Sequence, residues 1–367
     1  MVRKVVSGRH AVAAIATLAF AFAVILWAAA REDVDADGTL QIRDLSVPLS
    51  TFLSPEARSY MLHVLRDQPF AGGPSAARDI KGYRERQDEI MNWFLKPIHE
   101  RYSVSVEHKT IAGIYTDIIT PTDGIATKNR NRVLLNVHGG GFISGARTAG
   151  LVESIPMASV EKIRVITIDY RMGPEYKFPA ASEDVAAVYK EVLKEYQPEH
   201  IGLYGCSAGG MLAAMSIAWF QKNRLPNPAA IGVLCASIGE LTGGDASFIS
   251  GPLNGFATPT GPASSNAPLE FRPAYLSNVD PKDPLAYPIN SPALLAKFPP
   301  TLLVTSTRGM EYSSAINSHN ALVRAGVDAE LHVWDGLPHA FWYNSNLPES
   351  REVYDVVARF FDRHFGK

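Results

Sequence analysis

From residue 133 onward the chain alternates short, predominantly apolar runs with longer segments whose apolar residues recur every three or four positions. The runs Val133–Val137, Val165–Ile168, Ile201–Tyr204, Ile231–Ala236, Thr301–Thr305 and Leu331–Trp334 predict buried strands. Between and after them, Ala181–Tyr196, Ala208–Lys222, Ser313–Ala325 and Arg351–Phe365 predict helices. Strands that are apolar on both faces and separated by helices indicate an α/β fold, with a mostly parallel central sheet flanked by helices. Ahead of this region, Tyr102 to Ile119 alternates as an antiparallel strand pair does. Asp88 to His99 carries Ile90, Met91, Trp93, Phe94 and Leu95 on a helical stripe, and Ser54-Pro55-Glu56 opens a helix with proline in its first position.

Two stretches break the rhythm. Residues 31–105 show no clear strand. The stretch from Gly239 to about Pro299 is rich in Gly, Pro, Ser and Asn and is long for an ordinary loop. Open α/β sheets bind ligands at the carboxyl ends of their strands. Both stretches are therefore expected to form a helical cap there: 31–105 as an N-terminal cap region, and about 240–299 as a lid insertion in a catalytic domain covering 106–367. The front of the chain reads differently. Arg3, Lys4 and Arg9 precede an apolar run, Ala11–Ala30, interrupted only by Thr17. Residues 1–30 are expected to be a secretory signal peptide. The run 11–30 is also long enough to span a bilayer as an uncleaved anchor. Either way the protein is expected to be exported: periplasmic, secreted or membrane-anchored.

Composition narrows the partners. A formal net charge of −2 gives no electrostatic reason to expect nucleic acid. Hydrophobic residues at 46% and charged residues at 20% suffice for a core without covalent staples. The two cysteines, Cys206 and Cys235, fall in apolar strand-like segments and read as buried free thiols rather than a disulfide.

The candidate chemistry begins at Gly205-Cys206-Ser207-Ala208-Gly209, a G-x-S-x-G pattern with a predicted strand running in and a predicted helix running out. That context describes a nucleophile elbow, a strained turn that holds the Ser207 hydroxyl above the sheet edge. Upstream, His138-Gly139-Gly140-Gly141-Phe142 follows another strand. Acyl transfer builds negative charge on a carbonyl oxygen, and preorganised backbone N–H groups stabilise it. Gly140, Gly141 and Ala208 are the expected oxyanion-hole donors, while His138 is expected to brace the loop. The rival reading, a phosphate loop, lacks G-x-G-x-x-G phasing and a following G-K-[S/T]. His339 lies in Asp335-Gly336-Leu337-Pro338-His339, just after a late strand, where a general base is required. No H-E-x-x-H occurs, so no metal is expected.

These residues together resemble the hormone-sensitive-lipase-like family of α/β-hydrolase-fold esterases, over about residues 100–367. Further points of likeness are Tyr170-Arg171-Met172-Gly173-Pro174-Glu175, with Arg171 and Glu175 read as members of a polar scaffold, and Lys282-Asp283-Pro284-Leu285. The resemblance implies a serine carboxylic-ester hydrolase working through a Ser-His-acid triad and an acyl-enzyme, on small-molecule esters with short acyl chains and without a cofactor. The alternative is a non-catalytic ligand-binding protein on the same fold. The sequence departs from the family pattern twice. Cys206 stands where an acidic residue commonly precedes the nucleophile. The usual acid position falls on Gly309, which has no side chain. Glu311, in the same loop, is the expected acid; Asp335, or no acid at all, is the alternative.

Overall fold

A computed structural model of the protein describes residues 46–67, 79–255 and 273–366. The expected signal peptide or anchor at 1–30 lies outside the described residues, as does part of each expected cap stretch. Among the described residues no helix is long and apolar enough to cross a membrane.

Residues 49–367 form one compact unit. Its described residues include eight strands: β1 (Val104–Ile111), β2 (Ile114–Pro121), β3 (Val133–Val137), β4 (Arg164–Ile168), β5 (Ile201–Cys206), β6 (Ala230–Leu234), β7 (Thr301–Arg308) and β8 (Ala329–Pro338). Their order across the sheet is β1-β2-β4-β3-β5-β6-β7-β8. The β1–β2 and β2–β4 pairs are antiparallel and the others parallel. Among the described residues eight principal helices accompany them: α1 (Pro55–Asp67), α2 (Ile80–Arg101), α3 (Thr148–Glu161), α4 (Ala180–Val192), α5 (Ala208–Lys222), α6 (Ala246–Leu253), α7 (Tyr312–Arg324) and α8 (Pro348–His364).

The continuous apolar runs are explained by burial on two sides. All five residues of β3 are buried, and successive side chains of a strand point to opposite faces. Leu135 joins a core cluster with Val185 and Tyr189 of α4 and Leu212 of α5. Its neighbour Leu134 joins the opposite cluster, with Val152 of α3 and Val353 and Val357 of α8.

The expected strands are all present, with β5, β7 and β8 running further than their apolar runs suggested. The expected burial fails for β8: it is an edge strand, with Leu331, His332 and Trp334 half-buried and Val333 exposed. The expectation of a helix after Ser54 is met by α1, whose first turn is capped by Ser54 Oγ accepting from Ala57 N at 3.1 Å. The helix α3 is not announced by the pattern. It is buried on most sides and contains Pro156, so it shows neither a polar face nor a clean helical signal.

Candidate active site

Strand register brings the candidate residues to one edge. In the β5–β6 pair Cys206 lies opposite Leu234, so the next residues, Ser207 and Cys235, leave the sheet side by side. Two hydrogen bonds fix those exits: Ser207 N to Leu234 O at 2.8 Å and Cys235 N to Val304 O at 2.7 Å. In the β7–β8 pair a register shift after Ser306 sets Arg308 opposite Pro338. Glu311 and His339, 28 residues apart in the chain, therefore follow two adjacent strand ends.

Ser207 occupies the turn between β5 and α5 with φ 57° and ψ −122°. A non-glycine residue at positive φ is strained by on the order of 1–3 kcal/mol, and such strain persists only where the surroundings enforce it. Here β3 enforces it. A Cβ on Gly205 would come within 2.1 Å of Val137 O, and one on Gly209 within 1.9 Å of the same carbonyl. The elbow thus packs its main chain directly on the end of β3, which is also where the glycine loop starts. Gly140 and Gly141 have φ 116° and 65°. Gly140 O anchors that loop by accepting from Ile143 N at 3.1 Å and Ser144 N at 3.0 Å. Among the described residues, nothing accepts a hydrogen bond from the amides of Gly140, Gly141 or Ala208.

His138 is buried, stacks on Tyr170 with ring centroids 4.4 Å apart, and places Nδ1 2.7 Å from Gly139 O. It braces the loop rather than facing the site. Arg171 holds Asp184 through Nε at 2.8 Å, and Glu175 holds Arg84 at 2.7 Å. The two scaffold residues are tied to different partners, not to each other.

On the base side, His339 Nδ1 lies 2.7 Å from Glu311 Oε2, and Thr305 Oγ1 donates to Glu311 Oε1 at 3.0 Å. Glu311 is completely buried. Burial would raise its pKa, but the neighbouring His339 and the hydrogen bonds hold it below the usual carboxylate value. Burial would likewise lower the His339 pKa; the Glu311 charge and hydrogen bond outweigh this and push it up to about 9. Asp335 points elsewhere, accepting hydrogen bonds from Ser50 Oγ and, at 2.9 Å, Thr307 Oγ1. Gly309 explains how Glu311 fits. A Cβ added there would lie 2.4 Å from Glu311 Oε1, so the Glu311 carboxylate fills the space a side chain at 309 would take.

Two neighbours were not anticipated. The Cys235 thiol lies with a Glu311 oxygen and a His339 nitrogen within 4.8 Å of one another. This is the one group of three metal-capable atoms found among the described residues, and two of its members already bond each other. Both cysteines are free and buried, as expected. The second neighbour is Glu153 of α3, wholly buried behind the elbow and the glycine loop. An acid in the middle of an otherwise apolar stretch was the available signal.

The sequence profile of a family described by its alpha/beta hydrolase fold matches residues 134–343. An acetyl-hydrolase of Streptomyces hygroscopicus is 29% identical over 231 residues, which cover 62% of this chain and 75% of that protein. A crystal structure of an esterase superposes with a TM-score of 0.75 at 26% identity, covering 89% of this chain and 99% of the other. An esterase from the bacterial hormone-sensitive lipase family superposes with a TM-score of 0.71 at 25% identity, covering 85% and 99%.

Proposed function

The chain belongs to the alpha/beta hydrolase fold family and is a carboxylic ester hydrolase, and from that premise we propose that it works through Ser207, His339 and Glu311. Ser207 Oγ attacks the ester carbonyl as His339 takes its proton; the C–O bond to the alcohol breaks, and His339 returns the proton to that alcohol. Water, activated by the same imidazole, then releases the acid from the acyl-enzyme. The amides of Gly140, Gly141 and Ala208 receive the oxyanion in both steps.

The observation that carries this reading is the 2.7 Å contact between the buried Glu311 carboxylate and His339 Nδ1. It fixes the imidazole so that Nε2 is left for proton transfer. The strained backbone of Ser207 supports the assignment of the nucleophile.

The substrates are short-chain acyl esters, a reading supported by the acetyl-hydrolase among its relatives. We take the cap to include α2 (Ile80–Arg101) and α6 (Ala246–Leu253), the helices described within the stretches 79–105 and 240–255. Both touch the rim: Arg84 of α2 donates to Ile143 O at 2.7 Å, and Arg308 donates to Leu253 O of α6 at 2.7 Å. Export follows from the front of the chain and is tested by mass spectrometry of the mature N-terminus. The function itself is tested by turnover of p-nitrophenyl esters from acetate to laurate. Rates should peak at or below butyrate; a maximum at laurate contradicts the short-chain assignment, and no turnover of any ester contradicts the mechanism.

A further inference from the structure

Glu153 takes no part in the chemistry just described, yet its carboxylate joins the parts that perform it. Oε1 accepts from Gly139 N at 2.8 Å and from Tyr343 Oη at 2.5 Å. Oε2 accepts from Asn136 Nδ2 at 2.8 Å and from Cys206 N at 3.3 Å. Gly139 immediately precedes the Gly140 and Gly141 amides, Cys206 immediately precedes Ser207, and Tyr343 follows the His339 loop. All four partners present donors. Asn136 cannot turn its amide round without loss, because its Oδ1 already accepts from Thr167 Oγ1 at 2.8 Å.

Fold stability alone gives a poor reason for a carboxylate in this place. Among the described residues no cation pairs with it, and an unpaired buried charge is costlier than apolar packing. Burial accordingly raises its pKa to about 7, even though the four hydrogen bonds pull it down. What the carboxylate uniquely supplies is two acceptor oxygens facing donors from the glycine loop, the elbow and the segment after His339. The acid that the family pattern puts at position 206 is absent here, and a carboxylate from α3 reaches the Cys206 amide instead.

We propose that Glu153 is a positioning residue: it sets the spacing between the oxyanion loop and the nucleophile elbow, and ties both to the histidine segment, so that the oxyanion donors are aimed before substrate arrives. The proposal rests on the reading of Ser207 and of the Gly140, Gly141 and Ala208 amides given above. A displacement of the order of an ångström in such donors weakens transition-state binding while leaving ground-state binding nearly intact.

The test is steady-state kinetics on p-nitrophenyl butyrate, with active enzyme counted by titration with a serine-directed phosphonate. Glu153→Gln keeps the shape but sets an NH2 group against donors. It should lower kcat on the order of 10²-fold with KM changed less than threefold. Glu153→Asp, which keeps both acceptor oxygens, should recover part of that loss. Tyr343→Phe removes only the bond to the histidine segment and should cost between about threefold and tenfold in kcat. The proposal is overturned if Glu153→Gln keeps kcat within threefold per active site, or if kcat and KM change together. Should Glu153→Gln not fold, unchanged kcat per active site in both Glu153→Asp and Tyr343→Phe overturns it equally. Ser207→Ala is run alongside; if that protein stays active, the reading of the site has failed and not the role of Glu153.

Discussion

The nucleophile side and the base side of the site both stand at the ends of parallel strands, but one is shaped by main chain and the other by side chains. Around Ser207 the contacts are carbonyls and amides. Val137 O leaves no room for a Cβ at 205 or 209, and Gly140 and Gly141 hold positive φ. Such a site has almost no freedom in residue type, because any side chain collides with backbone that cannot yield. Around His339 the contacts are Glu311, Thr305 and the Cys235 thiol. A carboxylate there need only arrive at the ring, and in this chain Glu311 delivers it, from a loop whose Gly309 leaves room for its carboxylate. The comparison teaches that the backbone-built half of the site leaves little choice of residue, while the side-chain-built half constrains where a carboxylate ends rather than where it starts in the chain.

The sharpest break of the nucleophile side is Ser207→Ala. Loss of the nucleophile from such a unit should lower kcat by about 10⁵-fold or more, measured with p-nitrophenyl butyrate. Labelling by a serine phosphonate should disappear with it; a variant that still turns over at the parental rate refutes the assignment.

On the base side, Glu311→Gln should reduce kcat by roughly 10³- to 10⁴-fold, the penalty for a wrongly oriented imidazole. That latitude in where the carboxylate starts also predicts a rescue. Because a side chain at 309 would point into the volume of the Glu311 carboxylate, Gly309→Asp combined with Glu311→Ala should be at least about tenfold more active than Glu311→Ala alone. An inactive, folded double variant would show that the two chain positions are not equivalent routes to the ring.

The pH profile follows from the same pair. In the proposed mechanism His339 must be neutral to act as a base, and the Glu311 carboxylate raises its pKa to about 9. Activity should therefore climb with pH up to about 9 and fall below it. Removing the negative charge in Glu311→Gln should move this limb to lower pH, toward the ordinary histidine value of about 6.5. A limb that stays put, or moves up, contradicts the pairing. The smallest effect belongs to Asp335→Asn. Asp335 is bonded to Ser50 and Thr307 at the surface, so kcat should stay within about threefold, the scale of a lost exposed polar contact. A crippled variant would transfer the role of acid from Glu311 to Asp335.

The sequence by itself determined the central architecture and the backbone half of the site. Apolar runs buried on both faces specify a parallel sheet whatever their order, and the glycines of 139–141 and 205–209 mark places where main chain meets main chain. It also singled out Glu311, through the empty position at Gly309 and the length of one further methylene. Strand register lies beyond such patterns. Only the shift between β7 and β8 sets Arg308 opposite Pro338 and so brings Glu311 rather than Asp335 to the ring. The same holds for α3, whose apolar surroundings erase the polar face that would have announced it, and for Glu153, whose four partners come from three separate parts of the chain. Local patterns record what each residue needs to be buried or exposed; which buried groups meet is fixed by long-range packing, and that exists only in the folded chain.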